Sequence, residues 1–472
     1  MTFLTNNSNK FLKHIFSHKV IAEIAFVFIV SYVILYGYFR QELFHFELNW
    51  TYLIIVPIIA ILDGLRLILE IYFKQDIKAK NCNVDKVSII IPTYNGEDSL
   101  PIVLNDLTKR FPKNNIIVSS NGSTDDTIEI AKSFGVRYID TPQAIGKEGA
   151  IQKAINYVET PYVLTLDDDT IINDANIPVN LLEKGYNAIA FRVLPIKSNW
   201  LTTIQSHEYK KSMDIGRGFL NNQAAVNCVS GAIGLFRTDE IKDQSTTHSR
   251  EFCGEDYQRT MLIHADSDKK GCLAVNSEIF TLAPTNIREL FNQRVFGWNP
   301  GFYNNLYLSV KTFFLNPKLT LKYIIFYDIV IMMLGDILRL LSLPIIFFYP
   351  YFLVTMYFSY LILETIYWLA IKDREPFWVI LVYPFYGLFG FTTRIISAGI
   401  FIYRRTVVFI SRSKHLDDYK NKSLLLTIPS LVFVLSVFVA VFFSFMLIQD
   451  KNFLSDLQEI FNQLSLVTAS KN

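Results

Sequence analysis

Charge is what this chain has least of. Asp, Glu, Lys and Arg make up only 19% of its 472 residues, against about 25% in an average soluble domain. The formal net charge is +2, which excludes nucleic-acid binding through a global basic field. Cysteine is scarce as well, at Cys82, Cys228, Cys253 and Cys272. None stand as a C-x-x-C pair, so their spacing supports neither a zinc site nor a dithiol centre. Reduced thiols in a cytoplasmic domain are expected. What fills the chain instead is apolar: 51% hydrophobic residues, with 39 Phe and 25 Tyr. That composition points to lipid.

The apolar residues are unevenly spread. Val20 to Phe39 is interrupted only by Glu23, and Tyr52 to Phe73 carries only Asp63, Arg66 and Glu70 as charges. Both reach the roughly 20 residues that cross a hydrocarbon core. Beyond Thr312 the chain is apolar again, with candidate membrane segments at Tyr323–Leu341, Leu343–Ile371, Phe377–Tyr403 and Leu424–Ile448. Asp328, Asp336 and Arg339 share one helical sector, which suits an interface or a polar cavity. Phe377–Tyr403 contains Pro384, Gly387, Gly390 and Arg394 and reads as a broken or interfacial helix. Basic clusters at Lys10–Lys19, Lys74–Lys80 and Arg404–Lys422 place those stretches in the cytoplasm. The expected plan is a membrane region over 1–80 with two spans, a cytoplasmic domain over 81–298, and interfacial helices with about three spans over 299–472.

From Lys74 to about Asn292 the pattern is different. Val87–Pro92, Asn115–Ser119, Tyr162–Leu166 and Ala188–Val193 read as strands, and Ser99–Arg110, Thr124–Phe134 and Gly149–Val158 as helices. That alternation predicts an α/β domain with a mostly parallel sheet. Ligands in such sheets bind beyond the carboxyl ends of strands. Chemistry-bearing residues gather there. Val87–Glu97 is a buried strand running into a Pro-containing turn, and Ile116–Thr127 is a second strand and turn. Gly146-Lys147-Glu148-Gly149 leads into a helix, an arrangement that suits a diphosphate. Asp167-Asp168-Asp169 follow an apolar strand, where adjacent carboxylates repel unless a cation neutralises them. On an extended chain Asp167 and Asp169 would share one face. Asp125 and Asp126 read as acids in a first helical turn. Further on stand Val229–Arg237 with Gly231, then Gly254-Glu255-Asp256-Tyr257 opening a helix, then Gln293-Arg294-Val295-Phe296-Gly297-Trp298.

In their order and content these motifs resemble glycosyltransferase family 2. The resemblance covers roughly Val87 to Trp298, together with the hydrophobic layout on either side. It is similar to the plan of cellulose, hyaluronan and chitin synthases. It implies an A-type nucleotide-sugar-binding domain and an inverting hexosyl transfer with Mg2+ or Mn2+. By resemblance, Pro92, Tyr94, Asn95, Glu97, Asn121, Lys147, Asp167, Asp168, Gln293 and Arg294 contact the donor. Asp169, with Asp167, holds the metal. Gly231, Glu255 and Trp298 border the acceptor, and Asp256 is the general base. The family usually has Asp-Asp where this chain has Ser120-Asn121, and Gln-x-x-Arg-Trp where this chain has Gly297 before Trp298. A UDP-sugar is the expected donor. The expected product is a polysaccharide extended at the cell membrane and passed across it. A single sugar added to a polyprenyl phosphate or glycerolipid is the alternative.

Overall fold

The computed structural model describes residues 63–80, 84–244, 247–249, 254–333, 335–336 and 351–411. The expected spans at Val20–Phe39 and Leu424–Ile448, the first half of Tyr52–Phe73, and Arg339 lie outside the described residues. Among the described residues one helix is long and apolar enough to cross a membrane, over Trp378–Ile402. The five-span plan therefore stays an expectation.

The α/β domain is built on eight strands in the order β3-β2-β1-β4-β7-β6-β8-β5. These are β1 (Val87–Thr93), β2 (Ile116–Ser120), β3 (Arg137–Ile139), β4 (Tyr162–Leu166), β5 (Thr170–Ile171), β6 (Ala188–Pro195), β7 (Ile233–Arg237) and β8 (Cys272–Thr281). β1, β2, β3 and β4 are mutually parallel, as is the β6–β8 pair, whereas β7 runs antiparallel to β4 and β6. The mostly parallel expectation holds for the first half and gives way to a mixed sheet in the second.

β1 shows why this sequence makes a central strand. Its seven residues are all buried, because helices cover both faces. Ile89 and Ile91 join one apolar layer with Leu100, Leu104 and Leu164. Ile90, pointing the other way, joins a second layer with Ile117, Ile151, Val163 and Phe236. The helices that pack here are α1 (Leu100–Leu107), α2 (Thr127–Phe134), α3 (Gly146–Ile155), α4 (Val179–Glu183), α5 (Trp200–Lys210), α6 (Arg217–Leu220), α7 (Thr238–Asp243) and α8 (Glu255–Ala265).

Sequence position gave α3 a start at Gly149. The helix begins at Gly146, whose φ of 80° is left-handed. Lys147 therefore lies inside the first turn rather than in a loop before it. Similarly, α2 begins at Thr127, so Asp125 and Asp126 precede it.

Beyond the sheet follow α9 (Ile287–Asn292), a π-helical stretch over Gln293–Trp298, α10 (Asn299–Asn304), α11 (Leu306–Leu315) and α12 (Leu319–Phe326). Then come α13 (Tyr351–Ala370) and α14 (Trp378–Ser411). α14 is one continuous helix with Pro384 inside it, not the broken helix its Pro and Gly content predicts. Asp336 does not stand open to a cavity alone: Arg394 of α14 donates to both its oxygens, at 2.7 and 2.8 Å.

Candidate active site

Topology decides which loops meet. The carboxyl ends of parallel β1, β2 and β4 share one edge. β7 is antiparallel to β4, with Leu166 opposite Ile233, so the turn before β7 comes to that same edge. There the Asp167 N–H donates to the Ala232 carbonyl at 2.9 Å.

The turn after β1 is tied to the turn after β2. Asn95 adopts a left-handed φ of 53°, which Asn tolerates better than most residues. Its side-chain oxygen accepts from Thr124 N–H at 2.9 Å, and its own N–H donates to Ser123 Oγ at 3.1 Å. Gly96 N–H reaches Thr127 Oγ1 at 2.9 Å and Glu97 N–H reaches Asp125 Oδ2 at 3.0 Å. Asp125 also accepts from Thr127 Oγ1 at 2.5 Å. Partial burial works against its charge, but these donors hold its carboxyl below the usual range. Asp125 thus staples two turns, a role that spacing alone did not reveal. Asn121 Oδ1 accepts from Ile145 N–H at 2.7 Å and anchors the approach to α3. Tyr94 is exposed at the edge, whereas Pro92 lies buried inside β1 opposite Ser119.

Asp167–Asp169 do not continue the strand. Thr170 N–H donates to the Asp167 carbonyl at 3.2 Å, which closes a turn. The extended geometry on which the shared face was expected is therefore replaced by a turn, and each carboxylate has its own partner, although Asp167 and Asp169 stay within electrostatic reach of each other. Asp167 Oδ1 meets Lys147 Nζ at 2.5 Å. Asp168 accepts from Thr93 Oγ1. Asp169 Oδ1 accepts from Thr170 and Thr281 hydroxyls at 3.1 and 3.2 Å. Enclosure pushes the Asp167 carboxyl up to about 7 despite Lys147. It raises Asp168 as well, with the Thr93 hydroxyl opposing.

Lys147 is the hub. Besides Asp167 it touches Glu255 Oε1 at 3.6 Å and donates to the Gly231 carbonyl at 3.2 Å. Burial alone would lower its pKa, yet Asp167 and Glu255 raise it. The residue expected on a diphosphate thus bridges the two halves of the site. Asp256 sits just beyond. Its Oδ2 accepts from Gly231 N–H at 2.9 Å, and its Oδ1 from Tyr257 N–H at 2.8 Å. Burial, then the Glu255 charge, raise the Asp256 carboxyl above its ordinary value. Burial is the largest influence on Glu255 and opposes its ionisation, but Lys147, the Glu255 backbone N–H, Arg259 and His248 together outweigh it and keep that pKa low. A Cβ on Gly231 would lie 3.0 Å from Lys147 Nζ and 3.5 Å from Asp256 Oδ2, so glycine leaves the room in which these groups meet. Cys228 Sγ, 3.6 Å from Asp256, is a free thiol that the sequence reading left with no role.

The Gln293–Trp298 stretch is placed differently from expectation. Arg294 is buried and bonds Glu208 Oε2 at 2.6 Å and Tyr386 Oη at 3.3 Å. Its guanidinium lies over the Trp298 ring at 3.7 Å. The expected diphosphate partner is thus engaged by α5 and α14. Gln293 Oε1 is buried with no hydrogen-bond partner among the described residues. Trp298 remains 46% exposed, its ring 5.8 Å from Tyr209. Tyr209 in turn senses the Asp169 charge, so this corner adjoins the triplet. Glu208 and Tyr209 were missed by sequence reasoning, which had no motif to mark them.

This edge joins acids from two strand ends, a helix-borne lysine and a carboxylate on the facing helix. Residues 88–241 match the family described as Glycosyl transferase family 2. Residues 88–241 thus form a family 2 glycosyl transferase domain. The chain is similar to polysaccharide synthases in particular. Poly-beta-1,6-N-acetyl-D-glucosamine synthase of Staphylococcus epidermidis is 26% identical over 264 residues, 54% of this chain and 63% of that protein. The synthase of the same name from Staphylococcus aureus (strain MSSA476) is 27% identical over 191 residues, 36% of this chain and 46% of that protein. The match thus spans less than two thirds of those relatives. Among solved structures, a mannosyltransferase from Pyrobaculum calidifontis in complex with GDP-Man and Mn2+ is 13% identical. It aligns over 67% of this chain and 96% of that chain, with a TM-score of 0.38.

Proposed function

We propose that this chain is an inverting membrane transferase that extends a glycan from a nucleotide sugar. The observation that carries the reading is Lys147, joining Asp167 on the donor side to Glu255 and Gly231 beside Asp256. The donor would enter between the turns after β1, β2 and β4. A UDP-sugar is the proposed donor, and UDP-N-acetylglucosamine is the first to test, given what the relatives are named for. The domain plan of 1–80, 81–298 and 299–472 is part of the proposal.

Among the described residues no three His, Cys, Asp or Glu side chains form a ready-made metal cage. One or two carboxylates completed by substrate phosphates is the donor set that Mg2+ takes, so the triplet fits. Asp169, with Asp167, would hold Mg2+ or Mn2+, which would neutralise charge on the leaving diphosphate.

Asp256 takes the proton of the acceptor hydroxyl as that oxygen bonds to the anomeric carbon. The carbon–oxygen bond to the diphosphate breaks with its electron pair, and the anomeric configuration inverts. Trp298 offers an aromatic face to the acceptor sugar, held in place by Arg294 behind it.

Membrane attachment is supported by α11, which is inside out. Ser309 and Thr312 are buried, while Tyr307 is 81% and Phe314 74% exposed. An exposed apolar face of this kind suits lipid rather than water. The test is a panel of nucleotide sugars on purified membranes, scored by nucleotide release and product size. Release with every donor no faster than from an Asp256→Asn control would overturn the reading. One- or two-sugar lipid products would favour the single-transfer alternative.

A further inference from the structure

α3 and α8 are crossed by two ion pairs of opposite sense. At the open side of the site, Lys147 on α3 faces Glu255 on α8 at 3.6 Å. One residue further along α3, Glu148 meets Arg259, one turn further along α8, in the interior. This second pair is almost fully enclosed, with Glu148 at 4% and Arg259 at 2% exposure. The other Glu148 oxygen accepts from Gln152 Nε2 at 2.6 Å. The Arg259 guanidinium lies 5.4 Å from the Phe236 ring on β7, and its backbone carbonyl accepts from Gln244 Nε2 at 3.2 Å. His248 Nε2 lies 3.0 Å from the Glu255 carbonyl and 4.0 Å from Glu148 Oε2. The pair therefore ties α3, α8 and β7 together directly beneath the site.

Stability is a poor reason for such a pair. Well-packed apolar residues of similar volume serve as well or better in a protein interior. What an enclosed pair with directional hydrogen bonds adds is a defined register between the elements that carry it. Here the consequence is chemical. Lys147 adjoins Glu148, and Asp256 lies within one turn of Arg259. A slip of α3 along α8 would move the donor-side lysine and the acceptor-side carboxylate relative to each other.

We propose that Glu148 and Arg259 are positioning residues for the transfer: their ion pair holds the first turn of α8, with Asp256, at a fixed separation from Lys147 and Asp167. The proposal rests on the reading of Asp256 as the base. Neither residue touches the acceptor or the donor edge itself.

The test uses the full chain in membranes and the nucleotide sugar that the wild-type chain turns over fastest. Glu148→Gln and Arg259→Leu are compared with the apolar double Glu148→Leu/Arg259→Met and the charge swap Glu148→Arg/Arg259→Glu. Folding is checked by thermal unfolding and nucleotide affinity by UDP binding. A displacement near 1 Å costs about a hundredfold in rate. The single variants and the folded apolar double should lose about that much transfer kcat, with UDP affinity unchanged. The charge swap should recover a large part of the loss. Alkylation of Cys228 by N-ethylmaleimide, in a chain lacking the other cysteines, should quicken as Asp256 moves off the thiol. A folded apolar double that transfers at the wild-type rate with unchanged Cys228 alkylation overturns the proposal. Should the single variants not fold, the double alone decides. Asp256→Asn separates the two failures. If it stays active, the base assignment falls; if it is dead beside a fully active apolar double, only the positioning role falls.

Discussion

Two neighbouring charges tune one buried carboxylate. Asp256 acts as a base only when ionised, and burial with Glu255 raises its pKa. Transfer should therefore fade on acidification at a higher pH than for an ordinary carboxylate. Glu255→Gln removes a raising charge, so the acid limb of the pH–rate profile should move to lower pH. Lys147→Met removes a lowering charge, so the limb should move to higher pH. Parallel profiles for both variants and wild type would show that some other group titrates. Asp169 is a separate matter. Asp169→Asn, with Thr170 and Thr281 still able to donate to it, should lower transfer on the order of a hundredfold or more if it holds a cation. Wild-type activity in this variant after EDTA treatment would remove the metal from the account.

Two elements show how backbone form serves the site. Gly254, the residue before α8, has φ 82°, and a Cβ there would fall 2.4 Å from Gly301 Cα on α10. Gly254→Ala meets both strain and a backbone clash. The left-handed conformation alone costs about 1–2 kcal/mol in a residue with a Cβ. A lower Tm and a drop in kcat should appear together, because Asp256 is two residues on. A variant that loses stability at full kcat would show that this start can shift without moving the base. The Gln293–Trp298 stretch is the other case. The family spacing places Gln four residues before Trp; here they are five apart. The segment is π-helical, and Asn299 N–H bonds the Arg294 carbonyl five residues back. A π turn brings residues five apart into register as an α turn does for four. The extra residue is absorbed as a bulge, so the altered spacing no longer argues against a synthase-like corner.

At the scale of the described chain, the α/β domain is clamped to α13 and α14 through enclosed charges. Glu375, between α13 and α14, takes Lys210 at 2.6 Å, Ser206 at 2.7 Å and Lys197 at 3.1 Å. Glu364 on α13 takes Lys211 at 2.6 Å, and Arg294 joins α5 to α14. Glu375→Gln would leave the buried Lys210 ammonium short of its counter-charge, at a cost of about 3–5 kcal/mol. Faster proteolysis between α13 and α14 in membranes is the expected result. An unchanged cleavage pattern would mean that the clamp is redundant. On the reading that extension is coupled to translocation, such a clamp would keep the α/β domain in register with the C-terminal helices. Vesicles holding this chain alone, supplied with donor outside, should yield long product shielded from an added glycan hydrolase. Long product digested in full without detergent would reject translocation and keep extension.

Local pattern was enough for much of this. The buried strands β1, β2 and β4 are legible as apolar runs, and Asp167–Asp169, Gly254–Asp256 and Gln293–Trp298 are legible as motifs in order, because each is contiguous in the chain. Their edge of the sheet is legible too, since parallel strands expose their carboxyl ends together. What local pattern could not supply is anything made by residues distant in sequence. β7 reverses against β4, and only that reversal brings Gly231 to Lys147. The lysine's partners lie 20 residues away at Asp167 and 108 away at Glu255, counting along the printed numbering. Arg294 is expected to contact the donor by resemblance alone; that it is also paired with Glu208 and lies over Trp298 is set by packing, since a buried guanidinium must be paired where it lies. Composition and periodicity determined which elements exist; the crossing of sheet and helices decided which charges meet, because Coulomb and hydrogen-bond energies depend on distance in space and not along the chain.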